Sequence, residues 1–346
     1  MKRNWGAAFQ VAAVYVGTVV GAGFATGKEI VEFFTRFGLA GFISILVSGY
    51  ILVYMGSKLM VMSLRIGAKS YQELNEYLFG RWAGTAINMI MGLMLLGVTA
   101  VMMSGAGAVF EEQLGFSKNL GIMITIILSL LTMMVGTKGL FAVNSFVVPI
   151  MISFSVLLMF FSVGKSNFID QLFVIPHTDD GWKSVIAPFS YTAFNLALAQ
   201  AVLVPIAADI KDEWSIKWGG ILGGAALTLI LVSSHFTLIM LPKLTSYEIP
   251  MAIMMKDAAS QLYWIFILVV YGEIFTSVIG NIYGLERQLK KHFDIPTVIT
   301  VSAIFAVAYF ISLVNYGTLL SFLYPLFGYV SLIFIILLWM KPYPAR

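Results

Sequence analysis

Ten apolar segments follow one another along the chain, each near the roughly 20 residues that a helix needs to cross a bilayer. They lie at residues 7–35, 38–63, 83–111, 118–136, 140–163, 184–209, 216–241, 260–286, 296–314 and 317–340. Charged residues make up 11% of the chain, compared with about 25% in a typical soluble protein. So few charges are not enough to cover a water-facing surface. The sequence therefore predicts an all-α polytopic membrane protein with ten transmembrane helices.

The basic residues indicate how the chain is oriented. If the N-terminus is cytoplasmic, 14 of the 21 Lys and Arg residues fall on the cytoplasmic side and 7 on the outer side. Basic residues favour the cytoplasmic side of a membrane. We therefore expect a multi-pass protein of the plasma (inner) membrane with both termini in the cytoplasm.

The first segment contains an unusual concentration of glycine. Gly17, Gly21, Gly23 and Gly27 fall within eleven positions, although a glycine inside a helix costs about 1 kcal/mol relative to alanine. Irregular backbone at membrane depth is tolerated only where it is buried in protein or lines a cavity. This pattern predicts an interruption of helix one near Gly21–Gly23 that serves as a binding site. The alternative is close helix packing, because these glycines also have the spacing of packing motifs.

The sixth segment places further polar groups at mid-membrane, including Asn195 and Gln200, before it reaches Pro205. Five segments is an odd number, so the second half of the chain would enter the membrane with inverted orientation. We predict two inverted repeats, residues 1–163 and 164–346, in one membrane domain. Interrupted segments at corresponding positions of such repeats indicate a transporter's substrate site, so helix six is also expected to be interrupted. Alternatively, the two amides only bridge helices.

Charged residues within the apolar segments are a further guide. Glu273 lies in the middle of the eighth segment, and an ionisable group at that depth is by default a functional hypothesis. The alternative is a protonated carboxyl hydrogen-bonded to a neighbouring helix. Lys28 and Glu29, in the outer half of the first segment, are predicted to gate the outer entrance. Lys28 is also spaced to pair with Glu32 at i, i+4.

Enzyme chemistry has little support. The chain has no cysteine, and its three histidines share no metal-ligand spacing. No nucleophile–base arrangement is evident, so we predict that the protein is not an enzyme and has no cofactor. The expected partners are a small-molecule substrate and the lipid bilayer. No nucleic acid and no obligate protein partner is inferred.

The stretches 17–27 and 194–200 resemble the amino acid–polyamine–organocation superfamily, and in particular the bacterial YkvI-like membrane proteins. A capped helix expected at 70–80 and the Thr276-Ser277 pair support the resemblance. It implies the LeuT fold, a five-plus-five inverted repeat. It also implies that a substrate carboxylate binds the backbone amides after the break and that an aromatic ring of helix six closes over the substrate. The substrate-binding residues so predicted are Gly21, Ala22, Gly23, Phe24, Ala25, Thr26, Phe194, Asn195, Ala197 and Gln200.

The same resemblance implies a sodium site between segments one and eight. Its ligands would be the carbonyls of Gly17, Val20 and Glu273 and the hydroxyls of Thr276 and Ser277. Glu273 departs from the pattern, because sodium-coupled relatives usually have a small residue there, and its carboxyl favours a proton instead. The hydroxyl pair favours sodium slightly, and both coupling ions remain open.

These observations predict a secondary active transporter, a symporter that works by alternating access coupled to sodium or protons. The expected substrate is a small organic solute, an amino acid, because the scarcity of charge near the site favours a small zwitterion over a polyamine. The alternative is a membrane sensor or receptor of the same fold. Such a protein would bind its ligand without transporting it.

Overall fold

The structure is a computed structural model that describes residues 4–135, 138–176, 181–290 and 296–344, without the side chains of residues 135, 138–146, 287 and 290. The described residues form fifteen α-helices joined by short 3₁₀ and π turns. The helices are α1 Trp5–Val19, α2 Ala22–Thr26, α3 Lys28–Phe33, α4 Leu39–Ile66, α5 Tyr71–Phe79, α6 Arg81–Ala108, α7 Lys118–Val135, α8 Lys138–Val163, α9 Phe168–Leu172, α10 Lys183–Ile210, α11 Glu213–Leu238, α12 Pro250–Ala258, α13 Tyr263–Lys290, α14 Thr297–Ser312 and α15 Tyr316–Met340.

Every predicted apolar segment coincides with helical structure. The first segment becomes α1, α2 and α3, and the other nine become α4, α6, α7, α8, α10, α11, α13, α14 and α15. In the described part of the chain, six helical stretches are long and apolar enough to cross a membrane, namely α4, α6 with its π turn, α10, α11, α13 with its preceding 3₁₀ turn, and α15. Four shorter apolar helices have 10–17 residues. A multi-pass membrane protein is therefore confirmed, while the count of ten crossings stays a prediction.

The interruption in the first segment is confirmed. The helix α1 ends at Val19, Val20 and Gly21 have extended backbone, and α2 begins one residue later. A second change of direction occurs at Gly27, where φ is +80° and α3 begins. Only glycine fits there readily, because the conformation is left-handed and a Cβ would lie 2.6 Å from Cγ of Met251.

The predicted interruption of helix six is wrong, because α10 runs unbroken through 28 residues. Its polar side chains bond within their own helix. The Thr192 Oγ1 donates to the Pro188 carbonyl at 2.6 Å, and the Asn195 Nδ2 donates to the Tyr191 carbonyl at 3.0 Å. Side chains satisfied in this way place polar atoms at mid-membrane without breaking the backbone. Pro205 also lies inside α10 without ending it.

Two glycine faces on α11 hold the helices around the break together. Gly220 and Gly224 face α4, and Gly219 and Gly223 face α1. A Cβ at residue 224 would lie 2.6 Å from the Cα of Val53. Small residues allow membrane helices to approach to backbone contact, which gains dispersion energy where no hydrophobic effect is available. As a result, α1 and α4 are packed tightly against the same helix.

The capped helix expected at residues 70–80 is confirmed as α5. The Ser70 Oγ accepts a hydrogen bond from the Glu73 N–H at 3.4 Å, which caps α5, and Gly80 ends it with φ +80°. In the connection after α11, a 3₁₀ turn occupies Leu244–Ser246 and α12 begins at Pro250. Proline favours the first turn of a helix, where its missing N–H is not needed.

We expect Gly224→Val to destabilise the protein by about 1–3 kcal/mol, the usual cost of overpacking a tight contact. The added methyl groups would meet the α4 backbone, which cannot move aside as a flexible side chain does. The measurement is the melting temperature of the detergent-purified protein, followed by tryptophan fluorescence. Gly280→Val on α13 is the control, since a Cβ there meets nothing within 4 Å. Equal losses in the two variants would contradict the packing role.

Candidate functional site

The break in the first segment exposes backbone groups that a continuous helix would satisfy. The last bond of α1 runs from the Val20 N–H to the Val16 carbonyl at 2.7 Å, and the first of α2 from the Ala25 N–H to the Gly21 carbonyl at 3.0 Å. The last four carbonyls and the first four N–H groups of helices lack partners within the helix. At this break they are the carbonyls of 17–20 and the amides of 21–24.

The helix α2 is held inside the protein. All five of its residues, Ala22 to Thr26, are buried. The Thr26 hydroxyl lies 3.0 Å from the Tyr316 hydroxyl of α15, at hydrogen-bonding distance. On another side α2 packs against α13, where a Cβ at Gly21 would lie 3.3 Å from the Oγ of Ser277. The break in the first apolar segment therefore lies beside the eighth and tenth segments.

Part of the predicted ion site comes together on α13. Ser277 lies against Gly21, and the Thr276 Oγ1 donates to the Glu273 carbonyl at 3.2 Å. Gly17 lies in the last turn of α1, and Val20 is the first residue of the break. In the described residues no group of three or more His, Asp or Glu side chains is arranged to hold a metal ion. The arrangement offers hydroxyl and carbonyl oxygens, the ligand type that hard cations prefer.

The Glu273 side chain is completely buried, and among the described residues neither of its carboxyl oxygens has a hydrogen-bond partner. The proposed hydrogen bond to a neighbouring helix is therefore not formed in this structure. A buried polar group without a partner costs free energy. Retention of a carboxyl at this depth marks it as a functional hypothesis.

Glu29 is buried beside the break in this structure, and its gating role stays a prediction. Its side chain is 3% exposed. The carboxylate lies so close to Gly23 that any side chain at residue 23 would collide with it. Its Oε1 accepts a hydrogen bond from the Asn195 Nδ2 at 3.4 Å. Glu29 therefore connects α3 to α2 and α10 in the interior, beside the break.

Lys28 does not pair with Glu32 in this structure. Its Nζ donates to the carbonyls of Thr245 and Tyr247 at 3.0 Å and 2.6 Å. Glu32 instead forms an ion pair with Arg36, with 3.4 Å between the charged atoms. Lys28 thus ties α3 to the connection between α11 and α12. Its gating role stays a prediction.

Tyr191 is an aromatic residue of α10 that the sequence analysis did not select. Its ring centroid lies 6.1 Å from that of Phe24, 5.2 Å from Phe33 and 4.8 Å from Phe34. It is fully buried, and its hydroxyl has no partner in the described part of the chain. Tyr191 precedes Phe194 by three positions, about one turn of the same helix face. That spacing is the signal that would have identified it.

Three other predicted residues of α10, Phe194, Ala197 and Gln200, are buried in this structure. Phe194 packs on Tyr324 of α15, with 4.6 Å between ring centroids. The Gln200 Nε2 lies 3.6 Å from the Sδ of Met91 on α6, and Ala197 is buried. Because α6 lacks tyrosine, the aromatic hydroxyls near the break come from α10 and α15 instead.

Known proteins share this architecture. The chain is 51% identical to the uncharacterized membrane protein YkvI of Bacillus subtilis (strain 168) over 348 residues, which span 100% of this chain and 99% of that protein. A mutant of the Eremococcus coleocola manganese transporter superimposes with a TM-score of 0.66 at 13% identity, covering 96% of this chain and 77% of that chain. A substrate-bound, outward-open Na⁺-coupled sialic acid symporter gives a TM-score of 0.67 at 11% identity, covering 96% and 79%.

These structural similarities show the fold, which is the LeuT fold implied by the sequence resemblance. The proteins compared are membrane proteins, and the solved structures among them are transporters. The family model described as "Spore germination protein" matches residues 7–318, which is most of the sequence. The chain therefore belongs to the spore germination protein family.

Proposed function

We propose that this protein is a secondary active transporter of a small organic solute and works by alternating access. The observation that carries the proposal is the break at Val20–Gly21, which is buried in protein and packed against Ser277 of α13. Backbone irregularity within a membrane helix is retained where it binds a ligand. The shared fold of two solved transporters supports this conclusion, although those transporters are named for solutes as different as manganese and sialic acid.

For the substrate we propose an amino acid bound between α2 and α10. The free amides of residues 21–24 suit a carboxylate, because the first turn of a helix presents N–H groups to an anion. The predicted residues stay our proposal for the site: Gly21, Ala22, Gly23, Phe24, Ala25, Thr26, Phe194, Asn195, Ala197 and Gln200. We add Tyr191, since its ring contacts Phe24 and its hydroxyl is unpartnered in the described structure.

For the coupling ion we propose sodium at the junction of α1 and α13. The ligands would be the carbonyls of Gly17, Val20 and Glu273 and the hydroxyls of Thr276 and Ser277. The contact between Gly21 and Ser277 supports this placement. The competing proposal is a proton on the Glu273 carboxyl, supported by its burial without a partner.

The remaining parts of the proposal concern organisation. We assign the chain to the amino acid–polyamine–organocation superfamily, with inverted repeats at residues 1–163 and 164–346. We propose ten crossings, which put both termini on the same side, and the distribution of basic residues supports the cytoplasmic side of the inner membrane. The positions of the helices support this assignment, since each predicted segment coincides with one helix or, for the first segment, with three.

Transport is tested by counterflow in proteoliposomes preloaded with unlabelled amino acids. We expect labelled amino acid outside to accumulate transiently inside, because a carrier exchanges solute across the membrane. Gly21→Val should abolish accumulation, since its side chain would press on Ser277, and Gly280→Val is the matched control. Binding of the amino acid without any counterflow would overturn transport and support the receptor alternative.

The coupling ion is tested with Ser277→Ala and Glu273→Gln in the same vesicles. We expect Ser277→Ala to raise the sodium concentration needed for half-maximal uptake by about tenfold or more, the usual effect of losing one ion ligand worth over 1.4 kcal/mol. Glu273→Gln should keep the sodium dependence. Ser302→Ala on the exposed face of α14 is the control. If only Glu273→Gln has an effect, and it removes the drive from a pH gradient, then coupling is to protons.

A further inference from the structure

The carboxylate of Glu29 lies at the centre of the proposed site. It extends from α3 to Gly23 of α2 and accepts a hydrogen bond from the Asn195 side-chain amide of α10. These are the helices between which the substrate is proposed to bind. At 3% exposure the side chain is shielded from water as well as from lipid.

No cationic side chain accompanies this carboxylate in the described part of the chain. The adjacent Lys28 directs its Nζ to the carbonyls of Thr245 and Tyr247 instead. Glu32, one turn further along α3, provides the contrast because it pairs with Arg36. Two carboxylates on one short helix thus differ in their partners, and the buried one lacks the cation.

One neutral hydrogen bond at 3.4 Å does not offset the burial of a carboxylate. Charges taken out of water need an opposite charge and well-formed hydrogen bonds to be compensated, and 3.4 Å is longer than the usual N–H···O distance. Ionisable groups inside a membrane are rare and mark ligand or ion pathways. The missing positive charge is therefore expected to come from outside the chain.

The surroundings of Glu29 suit an organic cation. In the described part of the chain, the hydroxyl of Tyr191 is unpartnered, and its side chain is completely buried. The ring of Tyr191 also packs near Phe24 of α2. Aromatic faces attract an ammonium group more strongly once water is excluded. A hydroxyl oxygen and a carboxylate can accept hydrogen bonds from its N–H groups.

We propose that Glu29 binds the ammonium group of the transported solute, with Tyr191 as its aromatic and hydroxyl partner. This inference rests on the proposed function and narrows the substrate to primary amines. Amino acids and simple alkylamines share that group. The protein selects its solute by the ammonium group. A carboxylate, where the solute has one, binds the free backbone amides of α2.

The test is thermal stabilisation of the detergent-purified protein by matched ligands. The set is L-leucine, N-acetyl-L-leucine and isopentylamine, with the corresponding alanine and phenylalanine series. A ligand that binds the folded state raises its melting temperature by mass action. We expect stabilisation by at least one ligand with a free ammonium group and none by the acetylated compounds. Stabilisation by the amino acid or by the amine identifies the source of the ammonium, and either supports the proposal.

The variant Glu29→Gln keeps the size of the side chain and removes its charge. We expect it to weaken the apparent affinity for the stabilising ligand by about tenfold to a hundredfold, the loss typical of one charge-assisted hydrogen bond. Glu32→Gln is the matched control and should leave the affinity unchanged. If the glutamine variant fails to fold, Glu29→Asp keeps the charge and should weaken binding while retaining the preference for ammonium.

Three results would overturn the proposal. One is stabilisation by N-acetyl-L-leucine equal to that by L-leucine. Another is unchanged affinity in Glu29→Gln, including the case in which the variant alters only the pH dependence and so identifies a proton site. The third is no stabilisation by any compound in the set. Counterflow of a solute without an amino group would then show that the transport proposal stands while the ammonium proposal fails.

Discussion

The structure depends on the rule that a backbone polar group inside a membrane must find a partner within the protein. A break in a helix violates that rule unless other helices surround it. Here α13 and α15 enclose the interrupted segment through the contacts of Gly21 with Ser277 and of Thr26 with Tyr316. The glycine faces of α11 hold α1 in place beside them. The irregular segment is therefore inseparable from the packing of its neighbours.

The contrast between the first and sixth segments shows why two similar patterns fold differently. Glycine offers the backbone no side-chain substitute for a lost hydrogen bond, and at Gly27 it also permits a left-handed turn. Threonine and asparagine in α10 bond to carbonyls one turn earlier, so the helix stays intact. Polarity at mid-membrane is thus a weak predictor of a break, whereas clustered glycine followed by charge is a strong one.

Much of the architecture could be predicted from the sequence because hydropathy and capping signals act locally. The segment positions, the capped helix α5 and the break all follow from such signals. The direction of the Glu29 side chain could not be predicted, because it depends on how far the chain turns at Gly21 and at Gly27. The contacts of Tyr191 with Phe33 and Phe34 likewise depend on the rotation of α10 against α3. Such rotations are set by tertiary packing, which a single sequence does not reveal.

Lys28 and Glu29 are consecutive residues of one short helix, yet they contact different parts of the molecule. Lys28 holds the connection before α12, and Glu29 lies against α2 and α10. Both residues belong to α3, which follows the left-handed residue Gly27. Their backbone positions are therefore fixed relative to each other by the helix. Any rotation of α3 about Gly27 that displaces the Glu29 carboxylate also displaces the Lys28 ammonium group. The position of Glu29 in the interior and the hold of Lys28 on the connection before α12 are therefore linked through one short helix.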